Sequence, residues 1–298
     1  MNWTETRLFL SPRFPEEVRS ELDMLLPGEL REIRLRAERP TVFVTATRTA
    51  ALQWTPDKQE LNAVVEALSE HSLYARSQET GQGYMTLRGG HRMGLCGQVC
   101  IADRQSVLSD IGSVCLRIAG EWQGAADPLV AQLSSARQSI LIIGTPGSGK
   151  TTMLRDLSRQ LSTGRNACQV AIVDERCEIA ACHEGVPQLN VGSNADVLSG
   201  LRKCDAIPWL IRSMAPQIIV MDELNGTEDA AAIQEALASG ASVCATVHGT
   251  SLQDAASRPA LAALMSRRAF DLYAVLAPEG GGNIAALHDR NGNPVHIR

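Results

Sequence analysis

Lys150 and Thr151 follow three closely spaced glycines in the stretch Gly144-Thr-Pro-Gly-Ser-Gly-Lys-Thr-Thr152. Each residue type has a chemical use at this spacing. Glycines let the backbone curl until successive N–H groups face one anion. Lys150 adds a positive charge suited to the β- and γ-phosphates of a nucleotide, and the Thr151 hydroxyl suits Mg²⁺. The pattern G-x-x-x-x-G-K-[ST] therefore assigns Gly144, Thr145, Pro146, Gly147, Ser148, Gly149, Lys150, Thr151 and Thr152 to a bound nucleoside triphosphate. An ordinary glycine-rich strand-to-helix turn is the alternative.

Three further sets of polar residues stand directly after apolar runs. Asp222-Glu223 follows Ile-Ile-Val-Met, Asp174-Glu175-Arg176 follows Val-Ala-Ile-Val, and His248 follows Val-Cys-Ala-Thr-Val. Splitting a phosphoanhydride needs positioning and charge stabilisation around a metal-bound triphosphate. Asp222 suits the metal or its water, alongside Thr151, and Glu223 is placed to polarise the attacking water. Glu175 is a candidate for orienting the nucleotide, with a solvated strand end as the alternative. His248 is a candidate for sensing the γ-phosphate, although a lone histidine at a strand end is often structural.

These residues need elements to carry them. Residues 140–143 form a short continuous apolar run, as a strand buried on both faces does, and Leu154, Leu157 and Leu161 follow at helical spacing. The loop thus opens a helix N-terminus, whose dipole favours phosphate. Strands are expected at 167–173, 218–221 and 241–247, and helices at 196–214, 228–239 and after Arg258, with Pro208 marking a break or a new start. Strands alternating with helices imply a parallel sheet, and ligands bind beyond the carboxyl ends of such strands. The phosphate loop, Asp174-Glu175, Asp222-Glu223 and His248 all fall at that edge. A closing hairpin is expected around Glu279-Gly-Gly-Gly-Asn283.

The first part of the chain reads differently. Arg7-Leu-Phe-Leu10 is strand-like, a helix follows Pro15, strands are expected at 32–36 and 41–45, and a helix at 59–76. Gly89-Gly90 suits a two-residue hairpin turn, with bulges or close backbone approach at Gly94 and Gly97. Either this is a plain glycine-rich hairpin or it holds His91 and Arg92 out toward something anionic. Another strand carries Arg117. The expected organisation is a smaller α+β domain over 1–122 and an α/β domain with a parallel sheet over 123–298.

The 298 residues are 44% hydrophobic, enough for two cores, and carry a net charge of −5 with 4% aromatics. This balance argues against nucleic acid as a partner, since single-strand channels use basic grooves and stacking rings. No apolar run approaches the ~20 residues needed to cross a bilayer. Eight cysteines without paired C-x-x-C spacing give no expectation of zinc, Cys182-His183 included.

The phosphate loop, Asp174-Glu-Arg-Cys-Glu-Ile179, Ile218-Ile-Val-Met-Asp-Glu223 and Gly240-Ala-Ser-Val-Cys-Ala-Thr-Val-His248 together resemble the type II and type IV secretion ATPase superfamily. Glu32-Ile-Arg-Leu-Arg36, Ser72-Leu-Tyr-Ala75 and Gly89-Gly-His-Arg-Met-Gly94 extend the resemblance to nearly the whole chain and bring it nearest to a sporulation stage III branch. The resemblance implies a RecA-like P-loop ATPase domain using ATP and Mg²⁺. It implies a homohexameric ring, cytoplasmic and peripheral to the membrane on the mother-cell side, energising a channel built of integral-membrane proteins. It also implies arginines of the N-terminal domain reaching the nucleotide, with Arg92 and Arg117 as candidates. Larger members carry a long C-terminal region, sometimes with a four-cysteine zinc site, and this chain stops at Arg298 without it, so a folded export cargo is not implied. Two other functions suit the same core: a nucleic-acid translocase, and a nucleotide-dependent scaffold that does not hydrolyse.

Overall fold

In the computed structural model, residues 2–73, 80–81, 83–102 and 105–297 are described. The chain divides into two compact units, Met1–Gly120 and Glu121–Arg298.

The first unit opens with helices α1 (Trp3–Leu10) and α2 (Glu16–Met24). The strand-like reading of residues 7–10 is incorrect. The Asn2 side chain accepts from Glu5 N at 2.9 Å while the Glu5 carboxylate accepts from Asn2 N at 2.9 Å. This reciprocal cap starts a helix, which buries Thr6, Phe9 and Leu10 on one face. Strands β1 (Leu30–Arg36), β2 (Arg39–Thr45) and β3 (Thr49–Ala51) precede α3 (Lys58–Leu68). That helix ends earlier than its apolar period suggests, because Glu70 and His71 take left-handed φ of 51° and 58°. The rest of the expected helix at 74–76, and Tyr74-Ala75 of the resemblance, lie outside the described residues.

Strands β4 (Tyr84–Thr86), β5 (Arg92–Ala102) and β6 (Gln105–Arg117) complete a six-stranded sheet of order β3-β2-β1-β6-β5-β4. The link from β4 to β5 is a 3₁₀ turn over Arg88–Gly90 rather than a two-residue turn. Gly97 stands at a register shift, and a Cβ there would run into Asp110 O. Gly94 causes no shift. Ile33, Leu35, Phe43, Met93 and Leu116 point into the core with α1–α3, and Glu32, Arg34, Arg92 and Arg117 alternate onto the other face.

In the second unit, α4 (Asp127–Val130) leads to β7 (Ile140–Gly144) and α5 (Lys150–Leu161). Then come β8 (Val170–Asp174), β9 (Ala195–Ser199), α6 (Lys203–Met214), β10 (Ile218–Met221), α7 (Gly226–Ala238) and β11 (Ser242–His248). Helices α8 (Leu252–Ala256) and α9 (Pro259–Ser266) and the hairpin β12 (Leu272–Leu276) with β13 (Ile284–Asp289) finish the unit. Residues 196–199, expected to open a helix, belong to β9, which pairs in parallel with β8, and the chain turns at Gly200 with φ 75° before α6 starts. Pro208 lies inside α6 without ending it, at the cost of the hydrogen bond to Cys204 O.

The sheet order is β13-β12-β7-β11-β10-β8-β9, parallel except for β13. Leaving aside the edge strand β9, the strands that follow the loop strand β7 are β8, β10 and β11; β8 lies outside β10 and β11 lies beside β7, the RecA-like arrangement. All of residues 140–143, 170–173 and 218–221 are buried, so hydrophobic layers cover both faces. Each parallel strand delivers its carboxyl end to one edge.

Candidate nucleotide site

β7 runs into the glycine loop with Gly144 in register with His248 at the end of β11. Gly147 and Gly149 take φ of 77° and 98°, conformations in which a side chain would be strained. A Cβ on Gly144 would run into Ser148 Oγ. Gly149 also caps α5, so the loop sits on a helix N-terminus. The Lys150 ammonium donates to Thr145 O at 2.8 Å, curling back over the loop. Burial lowers the Lys150 pKa, partly offset by attraction to Asp222 and Glu223.

Beyond the loop, the neighbouring strand ends close in. Thr151 Oγ1 donates to Asp222 Oδ2 at 2.5 Å. Thr246 Oγ1 donates to Asp222 Oδ1, and Thr246 Oγ1 accepts from Glu223 N at 2.8 Å. Thr246 is wholly buried. It went unmarked in the sequence, although a hydroxyl inside an apolar strand, two residues before His248, is a visible signal. Glu223 itself holds a left-handed φ of 51°, and its Oε2 lies 2.7 Å from Arg176 Nη1. Such a backbone costs a non-glycine residue about 1 kcal/mol and persists where its surroundings fix it. Here the hydroxyl of Thr246 and the carboxylate of Asp222, 3.0 Å from Glu223 N, do so.

The acidic turn after β8 splits into two roles. Asp174 accepts from the backbone N–H groups of Glu178, Ile179 and Ala180 at 2.8–3.0 Å, and so shapes the turn. Burial nevertheless raises its pKa. Arg155 on α5 ties down the same turn by donating to Ile179 O and Glu178 O at 2.5 and 2.7 Å. Glu175 instead meets Lys203 Nζ at 2.8 Å, and Lys203 also lies 3.6 Å from Asp229. The Lys203 side chain is only 6% exposed, and nothing in the sequence distinguishes it from a solvated lysine opening a helix. Asp229 accepts from Asn225 N at 2.7 Å, which anchors the chain just beyond Glu223. A cavity of about 290 Å³ lies beside these groups, lined by Glu175, Arg176, Lys203, Asp222, Glu223 and Asp229 among others.

The second unit therefore brings together Lys150, Thr151, Asp222, Glu223, Glu175 and His248 at one edge. His248 is exposed there. In the first unit, Arg92 and Arg117 stand in register on adjacent strands, with Glu32 opposite Arg117 on the other side. Arg117 Nε lies 3.5 Å from Glu32, and the Arg92 guanidinium lies 3.8 Å over the Tyr84 ring. His91 is not held out toward solvent. It is fully buried against Phe9, accepts from Ala119 N through Nδ1 at 3.0 Å, and burial pushes its pKa down to about 4.

The residues fit a Mg²⁺–triphosphate by two observations. Thr151 and Asp222 present hard oxygen donors to the same point. The buried Ser148 Oγ has no hydrogen-bond partner in the loop that would wrap the phosphates. Among the described residues no group of three or more His, Cys, Asp or Glu could hold a metal by itself.

The family model described as "Sporulation stage III, protein AA" matches residues 17–295. The chain belongs to the sporulation stage III protein AA family. A relative from Bacillus subtilis (strain 168), stage III sporulation protein AA, is 39% identical over 272 residues, covering 89% of this chain and 88% of that one. Among solved structures, the ATPase DotB of Yersinia pseudotuberculosis superposes with a TM-score of 0.58 at 15% identity, over 95% of this chain and 78% of that one. The pilus retraction motor PilT with bound ADP gives a TM-score of 0.58 at 16% identity, over 87% and 76%. At such identities these two likenesses show the fold: this family member has the RecA-like fold of the secretion ATPases. Among its described residues no helix is long and apolar enough to cross a membrane.

Proposed function

We propose that this chain is a Mg²⁺-dependent ATPase that works as a homohexameric ring and energises a membrane-associated transport complex in sporulation. The observation that carries hydrolysis is the convergence of Thr151, Asp222, Thr246 and Glu223 within one hydrogen-bonded group at the sheet edge. A loop that merely held nucleotide would not need a carboxylate fixed in a strained backbone beside the metal-side aspartate.

In this reading residues 144–152 wrap the phosphates, and the Lys150 ammonium leaves Thr145 O for a phosphate oxygen. Thr151 and Asp222 hold Mg²⁺, which when bound neutralises charge developing on the transferred phosphoryl group. Glu223 accepts a proton from the attacking water once its carboxylate parts from Arg176. Glu175, steadied by Lys203, orients the nucleotide side of the site, and His248 reports the γ-phosphate. Arg92 and Arg117 supply positive charge to a nucleotide held by a neighbouring subunit. The ring docks on integral-membrane proteins from the cytoplasmic side. The family membership and the motors sharing the fold support this reading.

Turnover measured together with particle size, with and without ATP, tests it. Weak Mg²⁺-dependent hydrolysis should rise as hexamers form. Glu223→Gln should lower turnover by about 100-fold or more while nucleotide still binds, whereas Lys150→Ala should weaken binding itself. A monomer that stays inactive under every assembly condition overturns the motor. Glu223→Gln with unchanged turnover would favour the scaffold, and stimulation by DNA would favour the translocase.

A further inference from the structure

Residues 279–283, Glu-Gly-Gly-Gly-Asn, join β12 to β13 and have no part in the hydrolytic reading above. They lie on the phosphate loop. Gly280, Gly281 and Gly282 take φ of 83°, 79° and 72°, three successive left-handed conformations. Gly282 N donates to Ser148 O at 3.1 Å. A Cβ on Gly149 would stand 2.8 Å from Gly282 N and 3.0 Å from its Cα. A Cβ on Gly280 would stand 3.3 Å from Gly147 O. Two glycine segments far apart in sequence thus meet backbone to backbone, at distances that leave no space for a side chain on Gly149.

The register explains the meeting. β12 pairs in parallel with β7, Val275 opposite Ile143, so both chains leave the sheet side by side. Ala277 N donates to Asn283 O at 2.8 Å, which closes the hairpin below the loop. A hairpin of this kind can turn in two residues. The extra glycines carry the chain outward until it touches residues 147–149.

We propose that the 280–282 segment belongs to the nucleotide site as a positioning element, its backbone holding the phosphate loop in the curve that accepts a triphosphate. This rests on the nucleotide-binding reading given above. A phosphate loop binds through the direction of its own N–H groups, so its curvature decides affinity. Ser148 O is held by Gly282 N, and Gly147 O lies where a Cβ on Gly280 would crowd it. The Ser148 side chain adds no anchor of its own, since its Oγ has no hydrogen-bond partner. The requirement is mutual: Gly149 must lack a side chain because Gly282 is there.

A fluorescent ATP analogue titrated onto the full chain tests the proposal, with wild type, Gly280→Ala, Gly281→Ala and a variant whose residues 279–283 are replaced by Asn-Gly. The two alanine variants carry the same left-handed strain. They differ in that a Cβ at Gly281 meets only Asn283 Nδ2, at 3.6 Å, and not the phosphate loop. Gly280→Ala should bind about tenfold more weakly than Gly281→Ala at equal thermal midpoints, as small displacements of a binding group do. The shortened loop should lose at least as much and release nucleotide faster. Equal weakening in both alanine variants would assign the effect to hairpin strain and overturn the proposal. So would a folded shortened-loop variant that binds like wild type. Wild type that binds no analogue would instead overturn the nucleotide reading itself.

Discussion

Asp222 accepts from two threonine hydroxyls, one from the phosphate loop and one from β11. Its position is therefore set by three elements before any ligand arrives, and Glu223 inherits that order through its own N–H bonds to Asp222 and Thr246. Thr246→Val keeps the shape of the buried side chain and removes its hydrogen bonds. It should cost about 1–2 kcal/mol of stability in urea unfolding and lower turnover more than nucleotide affinity. Full turnover in that variant would show that Asp222 and Glu223 need no such support. His91 makes a separate prediction in the first unit. Its folded pKa of about 4 lies below the ordinary 6.5, so the unfolded chain takes up the proton first as pH falls. Stability is therefore full above about pH 6.5 and declines by roughly 3 kcal/mol on the way to pH 4. Urea midpoints of wild type and His91→Gln, compared at about pH 7 and 4.5, should show wild type losing more over that interval.

At the scale of elements, β5 and β6 run on past the strands beside them. β1 pairs with β6 only over residues 113–117, and β4 pairs with β5 only over 92–94. The remainder is a two-stranded ribbon, a marginal structure in water, tied at its base by Lys58 to Ile111 O. Val99 is 56% and Ile101 81% exposed along it. Amide hydrogen exchange at Val99 and Ile101 should be about 100-fold faster than at Ile142, and equal protection would mean that the ribbon is held by something else. The elements also differ in how openly the sequence declares them. β7, β10 and β11 are central strands, and their unbroken apolar runs are the direct result of burial on both faces. β9 lies at the sheet edge with half-exposed residues, so no run marks it, and its pairing to β8 is a tertiary fact. Arg7-Leu-Phe-Leu10 is too short for a period to decide, and the deciding cap lies upstream at Asn2 and Glu5. Within the site, the loop and Asp222-Glu223 are legible because each is a short run of contiguous residues whose types and spacing are visible without the fold. Lys203 and the contact of Gly282 with the phosphate loop were not, since each depends on segments brought together by the sheet.

At the scale of the whole molecule, the proposed ring makes each nucleotide a shared responsibility of two subunits. Arg117→Ala and Glu223→Gln should each be inactive when pure. Mixed before assembly, they should recover hydrolysis, because some interfaces then combine an intact arginine with an intact glutamate. Absence of recovery in mixed hexamers would confine the whole reaction to single chains. The contact between the two glycine segments has a consequence in time as well. About 130 residues separate Gly149 from Gly282, and at roughly 5–20 residues per second a ribosome needs on the order of 10 s to add them. Through that interval the nascent phosphate loop lacks the glycines that rest on it, and β11 and β12 are added only in its later part. The nucleotide site is thus among the last features of the second unit to be assembled during synthesis.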